Sequence, residues 1–279
     1  MNVFRQALSP AQAKQWLIMG SIVAAAVYAG TLEQLGYDGR ALATVGAVAL
    51  AALLSGIAGF AFSAICGAIV FQFRHDTVDV VQIMLVCSIA NQSMSVWALR
   101  RDIRARALAP FVAGGLAGVA SGVWLLLHVT GHAYAAALGA VLLAYGGYML
   151  FRKPIVLRHS PLASDVAAGF IGGLMGGFAA TPGAAASIWC GMKGWDKVRQ
   201  RAVFQPFILI CQVVALTLIW AAREGGSGHF GIPSLALVCI PAGLAGTYWG
   251  LACFSALSDR NFRIAINLLL IVSGAGLVL

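Results

Sequence analysis

Charge is scarce in this chain. Of 279 residues, 10% are charged and 61% are hydrophobic, whereas soluble domains carry about 25% charged residues. That shortage excludes a soluble globular domain. The 18 Lys and Arg against nine Asp and Glu leave a formal net charge of +9, but the basic residues fall in short loops between apolar runs. Such placement follows the positive-inside rule and does not indicate a nucleic-acid partner. Acidic residues are missing from the centre of every apolar run: Glu33, Asp38, Asp76, Asp79, Asp165 and Glu224 sit at ends or in loops. Carriers coupled to protons or sodium generally bury a carboxylate for the cation. A uniporter, or a carrier whose protonated substrate brings its own proton, fits better. The five histidines, His75, His128, His132, His159 and His229, are likewise terminal.

Clustered cysteines are also lacking. Cys66, Cys87, Cys190, Cys211, Cys239 and Cys253 are spread singly, with no Cys-x-x-Cys, which argues against a metal site or a disulfide framework. They read as small apolar residues within helices. There is no P-loop, so ATP-driven transport would need a separate subunit. No nucleophile–base pair lies at membrane depth, so neither an enzyme nor a cofactor is expected. No polar stretch is long enough for a separate soluble domain.

Long apolar runs are abundant, and windows of more than 18 apolar residues read as transmembrane helices in a lipid bilayer. The coarse spans are 16–32, 41–71, 78–99, 108–127, 134–151, 166–191, 198–220, 233–254 and 262–279. The first follows Arg5 and Lys14 and resembles a signal peptide, but it is long enough to span and is expected to be retained. Two runs, 41–71 and 166–191, are too long for one crossing and too short for two. Both carry interrupting glycines: Gly56 and Gly59 recur as Gly173 and Gly176 at a shift of 117 residues. Matched glycine-broken segments in two halves point to a transporter's substrate site.

Loop charge counts the crossings. If both glycine-rich runs return to their side of entry, with the N-terminus cytoplasmic, only Arg40, Arg74 and Arg223 fall outside. If each run crossed once, Arg100, Arg101, Arg104 and Arg106 would move outside, followed by Arg152, Lys153 and Arg158. The first arrangement is expected. The fold class is therefore an all-α polytopic membrane protein built as an inverted repeat. Each half holds one re-entrant, broken-helix arch and three transmembrane helices, after an extra N-terminal helix. The divisions are 1–40, 41–160 and an inverted second repeat at 161–279.

The arches should carry the chemistry, because broken helices survive at membrane depth only where buried or lining a cavity. Gly56, Gly59 and Gly67 would turn the first arch, and Gly172, Gly173, Gly176, Gly177 and Gly183 the second. Thr181-Pro182-Gly183 is the sharpest break, with Thr181 able to cap a new helix start. Free N–H groups of a half-helix beginning there would attract an anion. Ser63, preceded by Phe60, is the counterpart in the first arch. Helix packing is the competing role for these glycines. Asn91-Gln92-Ser93, with Ser88 and Ser95, and Gln205-Pro206, with Gln212, place amides and hydroxyls in the helices that follow each arch. Such groups donate to anionic oxygens without a buried counter-charge, and they can equally bond helix to helix. Arg74 and Arg201 border the arches and read as interfacial.

At these residues the chain resembles the TauE/SafE family of sulfite and organosulfonate exporters. The resemblance rests on Gly-Ile-Ala-Gly-Phe-Ala-Phe-Ser from Gly56, Trp97-Ala98-Leu99-Arg100-Arg101-Asp102-Ile103, Pro110-Phe111 through Gly114-Gly115, and Gly118-Val119 with Gly122-Val123-Trp124. In the second half it rests on Gly172-Gly173-Leu174-Met175-Gly176-Gly177, Ile188-Trp189-Cys190, Trp195-Asp196-Lys197 and Arg201-Ala202-Val203-Phe204-Gln205-Pro206. Ile65 and Cys66 stand where many relatives carry proline. The resemblance implies a carrier of the bacterial inner membrane that moves a small sulfur-containing anion outward. The expected binding residues are Gly59, Phe60, Ser63, Gln92, Gly177, Thr181, Pro182, Gly183, Ala184, Trp189 and Gln205. A carrier or channel for a neutral or thiol-containing metabolite is the alternative, and a homo-oligomer stays open.

Overall fold

The computed structural model describes residues 39–58, 62–72, 76–151, 161–223 and 234–253, together with Ile271. The expected spans 16–32 and 262–279 lie outside them. Among the described residues there are nine α-helices and no strands: α1 (Gly39–Ala58), α2 (Phe62–Val70), α3 (Thr77–Leu99), α4 (Ala105–His128), α5 (Gly131–Phe151), α6 (Leu162–Ala179), α7 (Gly183–Met192), α8 (Lys197–Arg223) and α9 (Ser234–Cys253). Five of them, α1, α3, α4, α6 and α8, contain apolar stretches of 18 to 25 residues. At 1.5 Å per residue these cover roughly 27–38 Å, enough for a hydrocarbon core of about 30 Å. The chain is a multi-pass membrane protein.

Each glycine-rich run is a broken helix, α1–α2 and α6–α7. The second break falls at Ala180, whose φ of 55° and ψ of 23° are left-handed. Its N–H bonds to Gly176 O at 3.0 Å, and the Thr181 N–H bonds to Met175 O at 3.3 Å. This Schellman-type closure offsets the roughly 1–2 kcal/mol that alanine loses in that conformation, and Pro182 prevents the helix from continuing. Two expectations are corrected here. Gly172, Gly173, Gly176 and Gly177 do not turn the chain, because α6 runs unbroken through all four. Thr181 does not cap α7; its hydroxyl donates backwards to Met175 O at 3.5 Å, and Pro182 holds the N-cap position with no side-chain bond.

The glycines bring helices together instead. Along α4 and α6, Gly114, Gly118 and Gly122 meet the backbone carbonyls of Val166, Phe170 and Leu174, while Gly169, Gly173 and Gly177 meet those of Phe111, Gly115 and Val119. A methyl group at any of these six positions would collide with main chain, which cannot yield as a side chain would. The seam between α1 and α9 is built alike, with Gly246 on the Ala49 carbonyl and Gly250 on that of Leu53. The words Gly115-Leu116-Ala117-Gly118 and Gly243-Leu244-Ala245-Gly246 mark the two seams in sequence.

Contacts along the seams fix the helix directions. Helices α4 and α6 run parallel, and Phe111 on Phe207 with Gly115 beside Cys211 aligns α8 with them. Helices α1 and α9 run parallel, and the thiol of Cys87 on Ala236 O with Asn91 beside Gly243 adds α3 to that set. The two sets are antiparallel, because Ser88 meets Gln212 while Asn91 and Ser95 lie near Gln205 and Arg201. The packing also pairs off: α1 on α9 matches α6 on α4, α9 on α3 matches α4 on α8, and α2 on α3 matches α7 on α8.

Both broken helices double back. Phe71, just past α2, rests 5.2 Å from the Tyr134 ring at the start of α5. In the second hairpin, Lys193 Nζ, just past α7, lies 2.6 Å from Asp165 Oδ2 in the first turn of α6. Trp189 Nε1 donates to Asp165 Oδ1 at 2.7 Å, and the ammonium sits 4.7 Å from the Trp195 ring. Both side chains of the ion pair are about 10% exposed, and breaking a buried pair leaves an uncompensated charge. Lys193→Met is therefore expected to destabilise the protein by about 3 kcal/mol, measured as a lower denaturation midpoint in detergent.

Candidate functional site: a polar cleft between α3 and α8

The apolar core of the bundle is interrupted where α3 crosses α8. A cleft there is lined by Ser55 and Gly56 of α1, Phe62 of α2, Ser88, Asn91, Gln92 and Ser95 of α3, Arg201 and Gln205 of α8, and Thr247 of α9. Spacing along the helices explains the convergence. Ser88, Asn91, Gln92 and Ser95 recur at three- and four-residue steps on one face of α3, and Arg201 and Gln205 stand one turn apart on α8. Arg201 is the one charged residue among those lining the cleft.

Burial makes this polarity costly. Asn91, Gln205 and Thr247 are at most 8% exposed. Both amide atoms of Asn91, the carbonyl oxygen of Gln205 and the hydroxyl of Thr247 have no hydrogen-bond partner within the protein. A buried polar group left unsatisfied costs roughly 1–3 kcal/mol, so three such side chains on one cleft call for a guest that bonds to them.

The cleft is coupled to the second hairpin. Gln212 Nε2 donates to Ser88 Oγ at 2.8 Å and to Ala180 O at 3.3 Å. One amide thus ties the left-handed turn between α6 and α7 to a side chain of the cleft wall. The break between α1 and α2 flanks the cleft through Ser55, Gly56 and Phe62. At the start of α8, the Asp196 carboxylate accepts from Arg199 N and Val198 N, each at 3.0 Å. These bonds, the Arg199 one foremost, hold the Asp196 carboxyl below the usual carboxylate range. They also fix the first turn from which Arg201 projects.

Of the residues singled out in the sequence, Gln92 and Gln205 come together in this cleft, although they lie on different helices. Gly59 and Phe60 lie outside the described residues. Ser63, Gly177, Thr181, Pro182, Gly183, Ala184 and Trp189 are not among the described lining residues. Ser63 is buried within α2. Gly177 faces α4, and Pro182 packs on Gly176. Gly183 opens α7, Ala184 N bonds to Thr181 O at 3.4 Å, and Trp189 is held by Asp165 at the open end of the hairpin. Sequence reasoning missed Thr247 and gave Arg201 an interfacial role. The one-turn spacing of Arg201 and Gln205 was the available signal.

Comparison with known proteins follows from this geometry. A family model described as sulfite exporter TauE/SafE matches residues 44–277. No curated protein and no solved structure matches the chain.

Proposed function

The chain belongs to the sulfite exporter TauE/SafE family, and from that premise we propose that it carries sulfite or a small organosulfur anion outward, bound in the cleft between α3 and α8. One observation carries this reading: a guanidinium, two primary amides and buried unpartnered donors converge on one cleft at the crossing of two helices. Arginine supplies a permanent planar charge suited to oxyanions. The amides of Gln92 and Asn91 and the hydroxyls of Ser88, Ser95 and Thr247 add neutral donors that fix orientation.

In the same reading the protein is an inverted repeat, 41–160 and 161–279, after a helix in 1–40, with re-entrant hairpins entering from opposite faces. The antiparallel course of α1 and α6, the matched helix pairings and the Lys193–Asp165 closure support it. The cleft then lies near the midplane, where one half rocking against the other exposes it alternately. Loops 100–106 and 193–201 lie at one end of the bundle and carry Arg100, Arg101, Arg104, Arg106, Lys193, Lys197, Arg199 and Arg201. That end faces the cytoplasm of a bacterial inner membrane, on the positive-inside rule.

A thermal-shift series tests the assignment. A ligand that binds only the folded state raises apparent stability, by about 2.7 kcal/mol at a hundredfold excess over its Kd. Sulfite is expected to raise the midpoint of the purified protein and to do so much less for Gln92→Leu. An equal shift in that variant removes Gln92 from the site.

A further inference from the structure

On the reading that this cleft is the transport site, we infer that its substrate is a singly charged sulfur oxyanion that itself carries a hydrogen-bond donor. Hydrogen sulfite and a hydroxyl- or amino-substituted sulfonate belong to this class. Sulfate and an unsubstituted alkanesulfonate do not.

The observation is the surplus of acceptors. Asn91 Oδ1 and Gln205 Oε1 are buried at the cleft with nothing in the protein donating to either. A carboxamide always presents one oxygen and one NH₂ group. Turning either amide over exchanges the two ends and never removes the acceptor. A fully deprotonated oxyanion offers only lone pairs. It would satisfy Arg201, the Asn91 NH₂ group and the Thr247 hydroxyl, and leave both amide oxygens facing like charge. A guest with an O–H or N–H completes the set.

Charge points the same way. Arg201 is the one charged residue lining the cleft, so a single negative charge is matched there and a second has no lining counterpart. Carried as hydrogen sulfite, the substrate takes its proton with it. Net proton movement then needs no titrating carboxylate in the spans.

The full-length protein in liposomes tests this with labelled sulfite uptake, using ethanesulfonate and 2-hydroxyethanesulfonate as competitors. They carry the same charge and differ by one hydroxyl. The hydroxylated competitor is expected to inhibit at a concentration about 10-fold or more below the other, since sites built to bond a hydroxyl discriminate strongly against analogues lacking it. Equal inhibition overturns the inference and leaves the anion site standing. If neither sulfonate competes, uptake at matched internal and external pH decides. Flux that falls with the hydrogen sulfite fraction as pH rises through neutrality supports the inference; flux that follows the dianion overturns it. Absence of sulfite uptake at every pH removes the parent reading, and this one with it.

Discussion

Arg201→Met is expected to lower sulfite flux in proteoliposomes by roughly 30- to 100-fold, the equivalent of about 2–3 kcal/mol for a charge-assisted hydrogen bond. The guanidinium stands one turn from Gln205 and shares the cleft with Asn91, Gln92 and Ser95. A methionine keeps much of the apolar stem and removes the charge, so the loss reports electrostatics more than packing. Arg201→Lys should recover only part of the flux, because an ammonium lacks the planar fork that meets two oxygens together. Unchanged flux in Arg201→Met, with the protein folded, would remove the cation from the binding role.

The second large effect concerns stability. Gly173→Ala is expected to destabilise the protein by about 3 kcal/mol or more, at the upper end of what overpacking costs. A Cβ there would overlap the Gly115 carbonyl on α4, and backbone can retreat only if the whole α4–α6 seam opens. Gly147→Ala is the control. It lies in α5 with nothing within 4 Å of an added Cβ, so the same substitution should leave stability unchanged or raise it by up to about 1 kcal/mol through helix propensity. Denaturation midpoints of the two variants in one detergent separate the outcomes. A matched response would mean that the seam is looser than its geometry indicates.

These two predictions also show what the sequence could disclose. The breaks were legible because Pro182 forbids a continuous helix, and because a 26- to 31-residue apolar run fits neither one span nor two. The use of the glycines was not legible from their own run. A glycine that turns a chain and one that admits a neighbour look alike locally, and only Gly114, Gly118 and Gly122, about 50 residues upstream, reveal the second role. The positive-φ position fell on Ala180, which no propensity would select. Gln92 and Gln205 were legible because amides are conspicuous in apolar helices. Arg201 was not, since its place near the start of an apolar run matches an interfacial anchor until tertiary packing carries α3 across it. Asp165 looked like a loop carboxylate for a similar reason. Its partner Lys193 lies 28 residues away and reaches it only once α6 and α7 fold back on each other.

Sidedness of the loops tests the architecture most directly. Single cysteines replacing Arg101, Arg199, Gln72 and Thr130 all occupy exposed positions, whereas the native Cys66, Cys87, Cys190, Cys211 and Cys239 are buried. With a membrane-impermeant thiol reagent on intact cells and on inverted vesicles, Arg101→Cys and Arg199→Cys should react from the cytoplasmic side. Gln72→Cys and Thr130→Cys should react from the other. Reaction of Arg101→Cys and Arg199→Cys from opposite faces would contradict two hairpins that enter from opposing leaflets and close on a shared anion site.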